Sequence, residues 1–230
     1  MKLEIWSDYA CPFCYIGKQH LENALAQFDG KDRLEIRHKA FRLDPSAGEQ
    51  PSYSMQEKLQ KNYGKSEQQA LEMMNYINQA GKDVGLIMNV EQTKNTNTLN
   101  AHRLLKWASS QGKGDELNAK LYHAYFTESQ NLADLATLAN LAEQAGLDKT
   151  EAAAMLQSDA FKAESLADEN EARAKGIHSV PAFVFNDKYL ISGAQPAQAF
   201  LQVLAQLQAE ESEQPQTLLN GQTCGIDGCE

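Results

Sequence analysis

"WSDYACPFCYIG", residues 6–17, is the stretch on which the reading of the fold turns. Its two cysteines, Cys11 and Cys14, stand behind a short alternating segment and ahead of a helical one. Lys2 to Ser7 sets Leu3 and Ile5 against Lys2, Glu4 and Trp6, which is the period of a strand. From Pro12 onward Ile16, Leu21, Ala24, Leu25 and Phe28 recur on one helical side, with Gly30 in the position of a closing glycine. "RLEIRHKAFRL" (33–43) alternates again, placing Leu34, Ile36 and His38 on one face. Strand, helix and strand within about forty residues predict a βαβ unit.

After a loop at 45–53, nearly everything from 55 to 175 reads as helix. Segments are expected at 100–110, 115–128, 134–145, 149–158 and 161–175, each bounded by Gly, Asn, Asp or Ser. Strands return at 183–185 and 189–191, flanking "NDK" as a hairpin turn. Pro196 suits the first turn of a last helix that fades by Glu210. With the helical middle set aside, the order is β-α-β followed by β-β-α. The expected class is therefore α/β, a thioredoxin fold with a large inserted all-helical domain. Residues 1–50 and 176–208 would form the discontinuous thioredoxin-like domain, 51–175 the insert, and 209–230 an acidic C-terminal tail.

Thirty-one acidic against 21 basic residues give a net charge of −10, which argues against a nucleic-acid partner. Half of that charge is local, since the tail carries Glu210, Glu211, Glu213, Asp227 and Glu230 with no Lys or Arg. No segment is apolar for long enough to span a bilayer. The start "MKLEIWSDYA" lacks the basic, apolar and small-residue succession of a signal peptide. The expected location is cytoplasmic, without a membrane partner, where thiols are usually kept reduced.

In that setting Cys11 and Cys14 are better read as reactive than as a staple. A Cys-x-x-Cys at a helix N-terminus puts unpaired backbone N–H groups and the helix dipole beside the first sulfur, favouring its thiolate. The spacing sets Cys14 one turn inward on the same face, where it can resolve a mixed disulfide. Pro12 stiffens the first turn, and Phe13 offers an apolar surface beside Cys11 without charge or hydrogen bond. Asp8 either caps the turn or relays protons. A metal site would need two further ligands, and none is expected, although the distant Cys224 and Cys229 keep a shared site open. In "HSVPAFVF" Pro181 is a candidate cis-proline facing the dithiol, with Val180 presenting backbone to a substrate strand; an ordinary trans proline opening an edge strand is the alternative. His178 precedes that loop and could approach the thiols. His102 would lie near the cleft or between domains, while His20, His38 and His123 read as packing or surface residues.

The chain resembles the DsbA-like thioredoxin-fold family, and within it the FrnE-like cytosolic dithiol oxidoreductases. "SDYACPFCYIG", "NTLNAHRLLKWA", "GIHSVPAFVF" and "YLISGAQP" carry the likeness over nearly the whole chain. The resemblance implies Cys11 as nucleophile, Cys14 as resolving thiol and Val180–Pro181 as the substrate-facing loop. Phe13 stands where periplasmic members carry histidine, which speaks against a strongly oxidising pair. The tail's "CGIDGC" matches a Cys-x4-Cys found in part of this branch. Its glycines permit the turn that brings Cys224 and Cys229 within disulfide range. That pair could relay electrons to the first, form a redox-sensing disulfide, bind a soft metal or serve as an inert clip.

The expected activity is cytosolic protein-disulfide oxidoreduction, with protein or small-molecule thiols and disulfides as partners and the chain a monomer or homodimer. No cofactor is expected beyond the redox-active disulfide, with glutathione a candidate co-substrate. A glutathione-dependent transferase or isomerase on the same fold is the nearest rival, although such relatives carry serine at the position of Cys11. A metal-binding or holdase-type stress protein is the rival from another class.

Overall fold

The computed structural model describes residues 1–213 and the backbone of residues 224–225 and 228–229. Its sheet runs in the order β2-β1-β3-β4. β1 (Lys2–Ser7) pairs in parallel with β2 (Glu35–Ala40) and antiparallel with β3 (Ala182–Phe185), which pairs antiparallel with β4 (Tyr189–Ser192). Between β1 and β2 lies α1 (Pro12–Leu25). Between β2 and β3 come α2 (Met55–Tyr63), α3 (Glu67–Asp83), α4 (Leu99–Ser110), α5 (Gly114–Phe126), α6 (Leu135–Gln144), α7 (Lys149–Gln157) and α8 (Lys162–Ala174), and α9 (Ala197–Glu213) follows β4.

The central place of β1 buries both of its faces. Its alternation does sort Leu3 and Ile5 onto one face, where they meet Leu21, Ala24, Phe183, Phe200 and Leu204 from α1, β3 and α9. The other face, with Glu4 and Trp6, is buried as well. Trp6 packs with Ala172 at the end of α8, Ile177, Ala182 and Val184, and its indole N–H donates to the Asp168 carbonyl at 3.0 Å. The Glu4 carboxylate is compensated by Lys2, Lys39 and Lys175 at 3.5, 3.6 and 3.9 Å. A polar residue on the outer phase of a strand is thus no sign of exposure where a helix covers that side.

α1 stops at Leu25, short of Gly30, which instead precedes a single 3-10 turn at Lys31–Arg33. The helical reading also fails over 84–98. There Gly85 takes φ +85°, and the chain continues without an α-helix to Thr98, with one 3-10 turn at Val90–Gln92. The Thr- and Asn-rich run "TKNTNT" forms tertiary bonds instead, such as Thr96 Oγ1 to Asn131 and the Asn97 amide to the Ala47 carbonyl.

The largest core spans the helical region and reaches into the other: Cys11, Cys14, Tyr15 and Ile16 of the first helix segment pack in the same cluster as Leu104, Leu121, Tyr122 and Phe126. The start of α1 is therefore clamped between the sheet and the helices. In the tail, β5 (Cys224–Gly225) and β6 (Gly228–Cys229) pair antiparallel with the backbone of Cys224 opposite that of Cys229. The side chains of this pair, and the redox role expected of them, lie outside the described residues.

Candidate active site

Cys11 occupies the N-cap of α1 with extended backbone, φ −104° and ψ 111°, and Pro12 follows within the first turn. Asp8 to Cys11 forms a tight turn, the Cys11 N–H donating to the Asp8 carbonyl at 3.1 Å, and the Cys14 N–H donates to the Cys11 carbonyl at 3.1 Å. Proline at this position loses no helical bond, because the first N–H groups of a helix have no partner within it. No disulfide joins the two cysteines here, and both are buried. They nonetheless differ: Cys11 lines a cavity of about 450 Å³, and Cys14 does not.

Burial raises the Cys14 pKa well above that of an ordinary thiol, and its hydrogen bond with the Cys11 thiol adds to the rise. Cys14 therefore holds its proton while Cys11 faces the cavity. Tyr9 and Tyr122 close the rear, their phenols pushed well up by burial and by the neighbouring sulfur or carboxylate. Tyr122 stacks on Tyr15 with centroids 5.2 Å apart, and the Tyr9 hydroxyl donates to Asn118 Oδ1 at 3.1 Å.

Opposite Cys11 runs the Val180–Pro181 loop, whose peptide bond is cis, as the sequence reading expects. The Cys11 thiol donates to the Val180 carbonyl at 3.7 Å. Gly193 N–H holds the Pro181 carbonyl at 2.8 Å. α1 comes close to this loop at Gly17, where a Cβ would lie 3.1 Å from Pro181 Cγ and 3.2 Å from Phe183 Cζ. The glycine that ends "CYIG" is thus a site of close approach.

Asp8 is 1% exposed and ties the β1–α1 loop to both flanks. Its Oδ1 accepts from Thr98 Oγ1 at 2.8 Å and Ala10 N–H at 3.3 Å, and its Oδ2 accepts from Leu43 N–H at 2.7 Å. His102 Nε2 lies 3.5 Å from Oδ1 and has no hydrogen bond of its own. Burial pushes the Asp8 pKa up, but His102, the Leu43 N–H and the Thr98 hydroxyl outweigh it and hold the carboxyl below the ordinary value. Asp8 thus caps its own turn through Ala10, while the helix N-cap itself, Cys11, makes no side-chain capping bond.

Phe13, Val180 and the exposed His178 join Cys11 on the cavity wall, so the structure brings together five of the residues singled out from sequence, Pro181 lying directly behind Val180. Asp8 belongs to the layer beneath. Met55, Leu59, Met73 and Ile77 of α2 and α3 form the facing wall, with Lys58 and Lys65 between them. Phe13 also meets the exposed Tyr76, ring centroids 6.5 Å apart, at the rim. Sequence reading missed Tyr9, Gly17, Lys58 and Thr98. The phase of Lys58, three after Met55 and next to Leu59, was the available signal for it. Among the described residues no three His, Cys, Asp or Glu side chains converge as a metal site, and no helix is long and apolar enough to cross a membrane.

The chain can be set beside known proteins on this geometry. It is 28% identical over 210 residues to the uncharacterized protein YwbO of Bacillus subtilis (strain 168), spanning 91% of this chain and 98% of that one. The crystal structure of the probable DsbA oxidoreductase SCO1869 from Streptomyces coelicolor matches with a TM-score of 0.87 and 37% identity, over 100% of this chain and 98% of that one. The cytosolic disulfide reductase DsbM from Pseudomonas aeruginosa, solved with GSH, shares the fold with a TM-score of 0.62 at 15% identity, over 92% and 100% of the two chains. The family model of the DSBA-like thioredoxin domain matches residues 2–205. A cavity-facing cysteine at a helix start, a second cysteine behind it, a cis-proline loop across from them and this match together place the chain in the family of DSBA-like thioredoxin domains.

Proposed function

We propose that the protein is a thiol–disulfide oxidoreductase in which Cys11 exchanges with the substrate and Cys14 resolves. The observation that carries this reading is the asymmetry of the pair. Cys11 lines the cavity, whereas Cys14 is kept off it, with its proton retained chiefly by burial. Written as a reduction, the Cys11 thiolate attacks one sulfur of a disulfide RSSR′, forming a Cys11–S–S–R bond and expelling R′S⁻. The Cys14 thiol then gives up its proton and attacks the Cys11 sulfur, expelling RS⁻ and leaving an intramolecular disulfide. The dithiol loses two electrons and two protons, and the substrate becomes two thiols. Run backwards, the same steps oxidise a substrate dithiol.

The two electrons pass directly from the cysteine sulfurs to the substrate disulfide, so the chemistry asks for no further cofactor. Phe13, Val180, Met73 and Tyr76 supply an apolar frame for a protein or small-molecule disulfide, and Val180 a backbone carbonyl beside the reacting sulfur. The likeness to DsbM with GSH favours glutathione as a small co-substrate and a cytoplasmic setting. Asp8 holds the turn that carries Cys11, and His178 is placed to meet whatever enters the cavity. The test is mixed-disulfide trapping. Cys14→Ser exposed to a model disulfide should accumulate an adduct on Cys11, found by mass spectrometry, and Cys11→Ser should form none at Cys14. An adduct on Cys14 in preference, or glutathione conjugation that survives Cys11→Ala, would sink the assignment and favour a transferase.

A further inference from the structure

Lys58 is 5% exposed on the inward side of α2, between Met55 and Leu59. Lysine is rarely buried to this extent without a charged partner. The Lys58 ammonium donates to Asn95 Oδ1 at 3.2 Å, which is a neutral amide. The nearest acid along that path is Asp44, one residue removed, whose Oδ2 accepts from Asn95 Nδ2 at 2.8 Å and from the Tyr53 hydroxyl at 3.3 Å. Among the described residues no carboxylate comes within the 4.0 Å ion-pair distance of Lys58. An ammonium has three protons to donate, and one hydrogen bond uses one of them.

The surroundings repeat the pattern. In a chain with ten more acidic than basic residues (31 against 21), the cavity beside Cys11 is lined by Lys58, Lys65 and His178 and by no Asp or Glu. The N-terminus of α1, a second source of positive potential, opens onto the same wall. The cavity, about 450 Å³, is of the size that encloses a small molecule. An apolar cavity with a buried cation and an exchange-competent sulfur suits a ligand that has a disulfide at one end and a carboxylate within reach of the other.

We propose that Lys58 anchors the carboxylate of a low-molecular-weight disulfide while Cys11 attacks its sulfur. This inference rests on the thiol–disulfide reading given above. It adds a residue and a substrate class, small anionic disulfides, in which binding charge and reacting sulfur are held by different elements, α2 and α1.

The experiment compares glutathione disulfide with the neutral bis(2-hydroxyethyl) disulfide as oxidants of the reduced full-length chain. Reactions are quenched at intervals and the Cys11 peptide is followed by mass spectrometry. Each completed oxidation consumes one disulfide and releases two thiols, so atoms and electrons balance in both arms. The ratio of the two second-order rate constants should fall about tenfold in Lys58→Met, the scale of one lost hydrogen bond to a charged group. Lys58→Arg should restore most of it. Wild-type protein with the ethyl ester of glutathione disulfide, which needs no variant to fold, should show a similar fall. An unmoved ratio in Lys58→Met, or an ester that reacts as fast as the acid, overturns the carboxylate anchor. If neither disulfide oxidises Cys11 in the wild type, the thiol–disulfide reading itself fails.

Discussion

Replacing Asp8 by Asn removes one charge from the layer under the dithiol with almost no change in volume. The carboxylate faces three donors at hydrogen-bond distance: the Thr98 hydroxyl, the Ala10 N–H and the Leu43 N–H. An amide can turn its oxygen to Thr98 and Ala10, but its NH₂ then points at the Leu43 N–H, leaving buried donors opposed. Hydrogen bonds to charged groups are worth about 1.5–3 kcal/mol each, so the loss of one, with one donor unsatisfied, should cost about 2–4 kcal/mol. The sign with pH follows from the direction of the shift. The folded-state pKa lies below the ordinary 3.8. The carboxylate's stabilisation is therefore fully present above the unfolded-state value and is lost as pH falls through the folded-state one. Urea unfolding of wild type and Asp8→Asn from pH 7 down to about 2.5 measures this, since a single shifted acid gives stability that vanishes below both its pKa values. The difference between the two proteins should be constant through the neutral range and shrink as pH drops below 3.8. A difference that stays constant down to the lowest pH, or is absent at pH 7, would refute the assignment of Asp8 as a charged bolt.

Two further outcomes can be measured on the same footing. Gly17→Ala gains about 1 kcal/mol of helix propensity. It also pushes a Cβ to 3.1 Å from Pro181 Cγ and 3.2 Å from Phe183 Cζ. Overpacking of about 1–3 kcal/mol should leave the variant neutral or less stable in urea, with slower adduct formation at Cys11; a clear stabilisation at full reactivity would contradict the close approach. Asp168 receives the Ala40 N–H at 2.9 Å and Lys106 at 2.5 Å and binds α8 to β2. Asp168→Ala should therefore cost about 3–5 kcal/mol by leaving buried partners uncompensated, and a loss under about 1 kcal/mol in urea unfolding, the range of a surface ion pair, would show that the network is not buried in effect.

Much of this architecture could be read from local sequence because its signals are local. Alternation at 2–7 and 33–43, a helical period after Pro12 and the "NDK" turn depend on neighbours within a few residues, and each corresponds to an element of the structure. The reading failed where tertiary partners override local preference. The run 84–98 lies between helical stretches and reads as helix with them, yet its Asn95 and Thr96 are consumed by Lys58, Asp44 and Asn131 from other parts of the chain. Glu4 likewise is a polar residue in a strand whose burial beside three lysines is set by tertiary neighbours.

For the site, sequence alone determined the candidate groups: two sulfurs three residues apart between a strand and a helix, and a proline ahead of the returning strand. Tertiary structure decided which sulfur meets the cavity, because burial depends on elements distant in sequence. Tyr9 and Tyr122 lie beside Cys14, while α2 and α3 stand back from Cys11 across the cavity. It also decided that Lys58 lies inside and that Asp8 is held by Thr98 and Leu43, ninety and 35 residues away. A spacing rule can propose a pair of thiols, but the unequal dielectric around them, and the charge facing one of them, exist only once the chain has packed.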